Sequence, residues 1–129
     1  MQSYDVAESL QGLAELRVTR DTTEAEAMAA VRVLGSLDRC TLGVTSFSGL
    51  TPWERHPDGD ELLYVVRGAV EVTVLTDERS VSIRVPAGSV FVVSRNLWHR
   101  QHAADSASLL FATGATDISW ADDPRVAGG

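Results

Sequence analysis

The sequence contains no lysine and a single cysteine, Cys40, among its 129 residues. One cysteine cannot form an internal disulfide or a zinc ribbon, so neither kind of cross-link stabilises this chain. With 18 acidic residues against 11 arginines, the formal net charge is −7. Binding to nucleic acid or to an anionic membrane needs a basic face, and no basic cluster is present. We therefore expect neither nucleic acid nor membrane among the partners.

Long apolar runs are also missing, and no segment approaches the length that crosses a bilayer. The first residues carry neither the basic nor the apolar stretch of a secretory signal. A length of 129 residues suits one domain, and 44% hydrophobic residues suffice for a core without staples. These features predict a one-domain cytoplasmic protein.

The N-terminal part is rich in Ala, Glu and Leu, and its pattern is helical in two places. Apolar side chains at helical spacing predict a short helix near 5–15. Thr23 and Glu26 have the spacing of a capping box, which favours a second short helix. Val31 and Val33 fit the start of a strand equally well.

From about residue 40 onward, runs of Val, Leu, Ile, Thr and Phe alternate with Gly, Pro and Asp turns. Short strands at this spacing are typical of an all-β sandwich or barrel. The predicted strands lie near 41–48, 52–56, 61–67, 69–76, 80–85, 89–93, 97–102 and 107–113.

The residues that carry chemistry surround one predicted turn. Residues two apart on a strand share a face, so Glu54 and His56 project together. The Pro57–Asp60 turn then reverses the chain, and an antiparallel partner strand can place Glu61 beside them. A register slip of one residue would instead turn Asp60 inward.

The same segment resembles the first motif of the cupin superfamily, which contains His-x-His, then Glu and Gly. His56, Glu61 and Gly68 match in spacing, while Glu54 stands where the first His is expected. Gly49 lies one residue away from the position of the leading Gly.

A second cupin motif is similar to the stretch from Gly88 to His99, where both of these residues match. Ser94 replaces the motif's Pro, Asn96 replaces its Gly, and Ala103 replaces its final Asn. Asn tolerates left-handed backbone angles, so the turn can survive the change at Asn96. The two motifs together extend the resemblance over about residues 41–113.

This resemblance implies a double-stranded β-helix, or jelly-roll, cupin barrel with a short N-terminal helical segment. The chain then divides into an N-terminal segment (1–35), mostly helical or irregular and packed on the barrel, the cupin barrel (36–115) and a C-terminal tail (116–129). A homodimer is also implied.

Carried over from the family, the metal ligands would be Glu54, His56, Glu61 and His99, holding one divalent ion of Fe, Mn, Ni or Zn. Imidazole and carboxylate suit such ions. The carboxylate at Glu54 fits a ligand exchange, and it fits equally a site that has lost its metal.

Three functions follow from these two possibilities. The first is a metal-dependent enzyme on a small organic substrate, an oxygenase, isomerase or cyclase, with Glu54 as the candidate catalytic base. The second is a non-catalytic barrel that binds a small ligand or a metal. The third is a metal-free barrel in which the four side chains form an internal polar network.

The neighbouring residues have simpler interpretations. His102 lies three residues beyond His99 and is expected on the opposite face, at the surface or an interface. Arg55 and Arg100 are expected to point outward. Trp53 and Trp98 are expected in core or rim packing, where one could line the mouth of the pocket. Cys40 is expected to be a small buried hydrophobic residue.

Overall fold

A computed structural model describes residues 1–126 of the chain. It contains two short helices and ten strands. The helices are α1 (Val6–Leu10) and α2 (Glu24–Ala29). The strands are β1 (Leu16–Val18), β2 (Val31–Leu37), β3 (Cys40–Leu50), β4 (Trp53–Arg55), β5 (Glu61–Arg67), β6 (Ala69–Leu75), β7 (Ser80–Pro86), β8 (Val90–Val93), β9 (His99–Thr113) and β10 (Asp117–Ser119). The all-β architecture predicted from the sequence is confirmed.

Both helices begin at caps that the sequence encodes. The side chain of Asp5 accepts the Glu8 N–H, which starts α1. At α2, the Thr23 hydroxyl accepts the Glu26 N–H and the Glu26 carboxylate accepts the Thr23 N–H, so the predicted capping box is present. The first helix is only five residues long, much shorter than the span of 5–15 expected from periodicity. Within residues 1–126, no helix has the length and apolarity to cross a membrane.

Strand β9 is the centre of the sheet. It pairs antiparallel with β3 along almost its whole length and, on its other edge, with β6 and then β5. The sequence predicts two strands here, 97–102 and 107–113. This is wrong, because β9 runs unbroken for 15 residues and absorbs the extra residues in a bulge opposite β3 between Phe47 and Gly49.

The sheet extends further at both ends than the sequence predicts. Strand β1 pairs parallel with β3, β2 pairs antiparallel with β3, and β10 pairs with β4. The division at residues 35 and 115 stays a prediction, but segments on both sides of it contribute strands to one sheet. Val31 begins strand β2, directly after the second helix, so both the helix and the strand that the sequence allowed here are present.

Two apolar groups stabilise this arrangement. The barrel interior is filled by buried side chains that alternate along the strands, among them Leu63, Val65, Val72 and Leu109. A smaller group outside the barrel joins Leu10 of α1 to the sheet. Burial of each such side chain contributes roughly 1.5–3 kcal/mol. The interior row of β5 ends in a charged residue, Glu61, and that end of the barrel is polar.

We expect Gly68→Ala to destabilise the fold by roughly 2 kcal/mol or more. Gly68 turns the chain between β5 and β6 at φ +77°, and a Cβ there would lie 2.6 Å from the Ser106 carbonyl oxygen. Gly35→Ala is the matched control, since a Cβ at Gly35 meets nothing within 4 Å. Urea denaturation of both variants measures the difference, and equal midpoints would contradict the steric argument.

Candidate metal centre

The turn between β4 and β5 sets the direction of the acidic residues. Asp60 is exposed, and its carboxylate accepts the Arg95 backbone N–H at 2.8 Å. This contact anchors the turn from outside, so the next side chain faces inward. Glu61 accordingly retains only 4% of its surface exposure. The register with Glu61 inside is therefore the one adopted, and the alternative with Asp60 inside is not.

A left-handed residue positions the histidine of β9. Asn96 has φ +65°, and its N–H donates to the His56 carbonyl oxygen at 2.9 Å. Asparagine thus takes the backbone conformation expected of the glycine that it replaces in the motif. The chain then enters β9 with the His99 side chain buried inside the barrel, at 1% exposure.

The four predicted ligands converge at this end of the barrel. Glu54 on β4 lies directly opposite His99 on β9. The His99 Nε2 atom is 3.0 Å from one oxygen of Glu61, and the His56 Nε2 atom is 3.3 Å from the other. The nearest oxygen of Glu54 is 3.9 Å from His56 Nε2. One ligand atom from each of the four residues lies within 4.8 Å of all the others.

Both ring nitrogens of His99 face oxygen atoms. Nδ1 lies 3.0 Å from the Leu97 carbonyl, which can only accept, while Nε2 faces Glu61. A positive charge must therefore lie between Nε2 and the carboxylate, carried either by a proton or by a metal ion. Burial opposes a charged ring, but the hydrogen bond and the charge of Glu61 outweigh it and raise the pKa of His99.

His56 repeats this arrangement from the opposite side of Glu61. Its Nδ1 atom faces the Ala115 carbonyl at 3.3 Å and the Thr116 hydroxyl at 3.0 Å. Burial acts against protonation, yet Glu61 and Glu54 raise the pKa of His56. Burial also disfavours the ionised form of Glu61, but the two histidines overcome this and lower its pKa to about 2. Glu61 is thus an anion held between two imidazoles.

Glu54 differs from the other three residues. About 29% of its side chain is exposed, and its carboxylate makes no hydrogen bond to any group in residues 1–126. Removal from water and the nearby charge of Glu61 raise its pKa to about 7, despite the opposing influence of His99 and His56. Glu54 is thus the most accessible member of the group, and its only polar contact there is the 3.9 Å approach to His56.

The donor set fits a divalent transition-metal ion. Ligands about 2.1 Å from a shared ion stand roughly 3.0 Å apart at right angles and about 4.2 Å apart across it. The spacings of 3.0, 3.3 and 3.9 Å fall within this range. The Nδ1 contacts leave both Nε2 atoms directed at Glu61, as in metal sites where a hydrogen bond to the other ring nitrogen fixes the imidazole. Two carboxylates and two neutral imidazoles would balance the charge of a divalent ion.

Two Arg–Trp pairs lie on the outer face of the same strands, and the sequence did not predict them. Arg100 stacks on Trp53 with its guanidinium carbon 4.2 Å from the ring centroid, and Arg55 stacks on Trp98 at 4.5 Å. Arg55 also forms an ion pair with Asp117 of β10 at 2.9 Å. Each pair flanks the Glu54–His99 register position, so these contacts hold β4 against β9. The sequence carries one sign of these pairs: a Trp and an Arg flank the proposed ligand in both Trp53–Arg55 and Trp98–Arg100.

The remaining expectations concern residues outside the cluster. His102 is exposed on β9, and Cys40 is a free thiol. Cys40 was expected to be buried, but it is only partly so because it opens β3 at the edge of the tight turn after β2. The roles of Glu54, His56, Glu61 and His99 as ligands stay predictions.

Comparison with known proteins defines the class. Residues 48–113 match the family described as Cupin domain, and the chain belongs to this family. The structure is therefore a cupin barrel, as the resemblance implied. Among curated protein sequences, none matches this chain.

Solved structures agree on the fold. Protein NMB1881 from Neisseria meningitidis is 18% identical over 88% of this chain and 100% of its own, with a TM-score of 0.61. Hydroquinone 1,2-dioxygenase from Sphingomonas sp. TTNP3, solved with 4-hydroxybenzoate, is 18% identical over 72% of this chain and 71% of its own, with a TM-score of 0.56. Bacillus subtilis oxalate decarboxylase, described for its Mn(II) centres, is 16% identical over 62% of this chain, with a TM-score of 0.56. This chain covers only 24% of the decarboxylase.

We expect His56→Ala and His99→Ala each to weaken metal binding by more than about 100-fold, because each removes one imidazole donor. His102→Ala is the matched control, since His102 is the third histidine and lies exposed on the same strand as His99. Elemental analysis after exhaustive dialysis measures the loss. Metal retained in either variant, with the fold intact by circular dichroism, would contradict the assigned ligands.

We expect Trp98→Leu to weaken metal binding by about tenfold, as when a contact that orients a metal ligand is lost. The substitution removes the ring under Arg55 and loosens the contact that sets Glu54 opposite His99. Trp120→Leu is the control, because Trp120 also stacks with an arginine but lies beyond β10. Competition with a chromogenic chelator compares the three proteins. An unchanged affinity in Trp98→Leu would show that this pair does not support the site.

Proposed function

We propose that this cupin is an enzyme that uses one divalent metal ion, of Fe, Mn, Ni or Zn, to act on a small organic molecule. The supporting observation is that Glu54 points to the centre, remains accessible and has no hydrogen-bond partner in residues 1–126. A closed polar network would satisfy all four side chains. Here Glu61 contacts both histidines, and the Glu54 carboxylate is left available to a metal ion or a substrate.

His56, Glu61 and His99 would hold the metal. Two imidazoles and one carboxylate form the donor set that non-haem iron oxygenases use with open positions for substrate. A bound ion would supply Lewis-acid chemistry or, with iron or manganese, redox chemistry. Oxygenase chemistry is thus the first candidate, and isomerase or cyclase chemistry follows if the ion is zinc or nickel.

Glu54 would act at the accessible side of this centre. Its carboxylate can complete the ligand set, or it can accept a proton from a substrate atom placed between it and the ion. The burial of His56 and His99 keeps water from their side of the site. Substrate would therefore approach along the exposed side of Glu54.

The similar structures agree with this proposal, because they include a dioxygenase and a decarboxylase with Mn(II) centres. At 16% and 18% identity, these two structures share the fold of this chain. The homodimer and the cytoplasmic location also stay proposals. A dimer would cover exposed apolar side chains such as Val90 and Val92 of β8.

A metal-free or non-catalytic binding barrel is the second candidate. It is favoured by the contacts of 3.0 and 3.3 Å that already join Glu61 to both histidines. Elemental analysis of the purified, tag-free protein separates the two functions. Near-stoichiometric metal would support an enzyme, and its identity would divide redox from Lewis-acid chemistry. No metal after reconstitution with excess Fe, Ni, Zn and Mn would overturn the proposal.

We expect Glu54→Gln to keep the metal and to lower turnover by about 100-fold or more, in the range of a lost general base. The amide has the same shape but accepts no proton at neutral pH. Glu71→Gln is the matched control, because Glu71 is exposed on β6. The measurement is oxygen consumption and product formation by the metal-loaded protein across a panel of small phenols and organic acids. Equal turnover in wild type and Glu54→Gln would exclude the proposed role.

A further inference from the structure

A cavity of about 370 Å³ lies on the outer side of β4. Its walls come from three separate parts of the chain: Arg20 near the N-terminus, Trp53 and Arg100 on the paired strands, and Trp120 with Asp122 after β10. None of the four proposed metal ligands lines it. The cavity and the metal centre thus occupy opposite faces of the same two strands.

Two stacked guanidinium groups border this cavity. Arg100 lies over the Trp53 ring, and Arg20 lies over the Trp120 ring at 5.7 Å. Arg20 donates one hydrogen bond to the Trp120 carbonyl at 3.1 Å. Among the described residues, no carboxylate oxygen lies within 4.0 Å of either guanidinium. Stacking fixes the plane of a guanidinium and leaves the donors on its edge available to an anion.

The wall also contains an unsatisfied donor. Trp53 is 96% buried, and its indole N–H has no hydrogen-bond acceptor within residues 1–126. A buried donor without an acceptor is costly, so this wall is a polar environment that the chain itself leaves incompletely paired. The charges of Arg20, Arg100 and Asp122 leave the lining with one net positive charge, although the protein as a whole carries −7.

We propose that this outer cavity binds a small organic carboxylate with a flat apolar body, such as an aromatic monocarboxylic acid. A carboxylate matches the fork of a guanidinium, and one negative charge matches the net charge of the lining. A flat body matches the indole rings, which a compact inorganic anion would leave uncovered. The proposal does not depend on a metal in the barrel or on catalysis there.

The test uses the purified full-length protein and three probes: benzoate, its neutral isostere benzamide, and inorganic phosphate. The indole N–H signals of Trp53, Trp98 and Trp120 are followed by NMR. We expect benzoate to shift the Trp53 and Trp120 signals saturably and the Trp98 signal much less. Benzamide and phosphate are expected to bind at least about tenfold more weakly, because each lacks either the charge or the flat body.

Two variants locate the site. Arg20→Met and Arg100→Met keep an apolar side chain over each indole, and each should weaken benzoate binding by at least about tenfold. Arg17→Met is the matched control, since Arg17 is exposed on β1 and does not line the cavity. Because Arg100 adjoins the proposed ligand His99, the metal content of the Arg100→Met variant is measured as well. Arg20 is remote in sequence from the ligands and carries the test if Arg100→Met misfolds.

Several results would overturn the proposal. They are absence of a saturable shift at millimolar benzoate, equal binding of benzamide or phosphate, and unchanged binding in Arg20→Met. Benzoate binding that depends on His99 and not on Arg20 would place the carboxylate at the inner site instead. A fall in molecular mass by light scattering in Arg20→Met, without benzoate binding in the wild type, would identify a second copy of the chain as the occupant.

Discussion

The need for positive charge between the Glu61 carboxylate and the two imidazoles is the constraint on which the rest of this site depends. Glu61 is a buried anion, and its oxygens lie 3.0 and 3.3 Å from the two Nε2 atoms. The other nitrogen of each ring faces a backbone carbonyl oxygen. An isolated buried carboxylate costs several kcal/mol, so it has to be matched by protons on the rings or by a cation. The fold must therefore bring the ends of β4, β5 and β9 together at this point.

Strand β9 achieves this because it is paired on both edges along its length. It contacts β3 and β4 on one side and β6 and β5 on the other, so His99 is fixed relative to both carboxylates. The shortest of these pairings is with β4, where Glu54 opposite His99 is the single paired position. The two Arg–Trp pairs on the outer face and the ion pair to β10 supply the missing restraint there. The site thus depends on contacts that carry no chemistry of their own.

Local signals account for what the sequence predicted well. The spacing of Glu54 and His56, the turn before Glu61 and the capping box at Thr23 are each decided by a few neighbouring residues. The left-handed conformation at Asn96 follows in the same way. What the sequence missed is non-local: the unbroken β9, the edge strands β1 and β10, and the outer cavity. Each of these depends on contacts with distant parts of the chain: β9 on its partner strands, and the outer cavity on residues such as Arg20 and Trp120, which no periodicity connects.

Glutamate in place of the motif's first histidine changes the charge of the centre, and this change has a physical consequence. With neutral imidazoles, a set of three histidines and one carboxylate leaves a divalent ion with one net positive charge. With Glu54 ionised, the charge of the set balances that of the ion. Without metal, the surroundings raise the pKa values of His56, His99 and Glu54, so protons on these groups would balance the charge of Glu61 instead. A divalent cation that bound here would have to displace those protons, so it would compete with acid for this site, and its affinity would fall as pH is lowered.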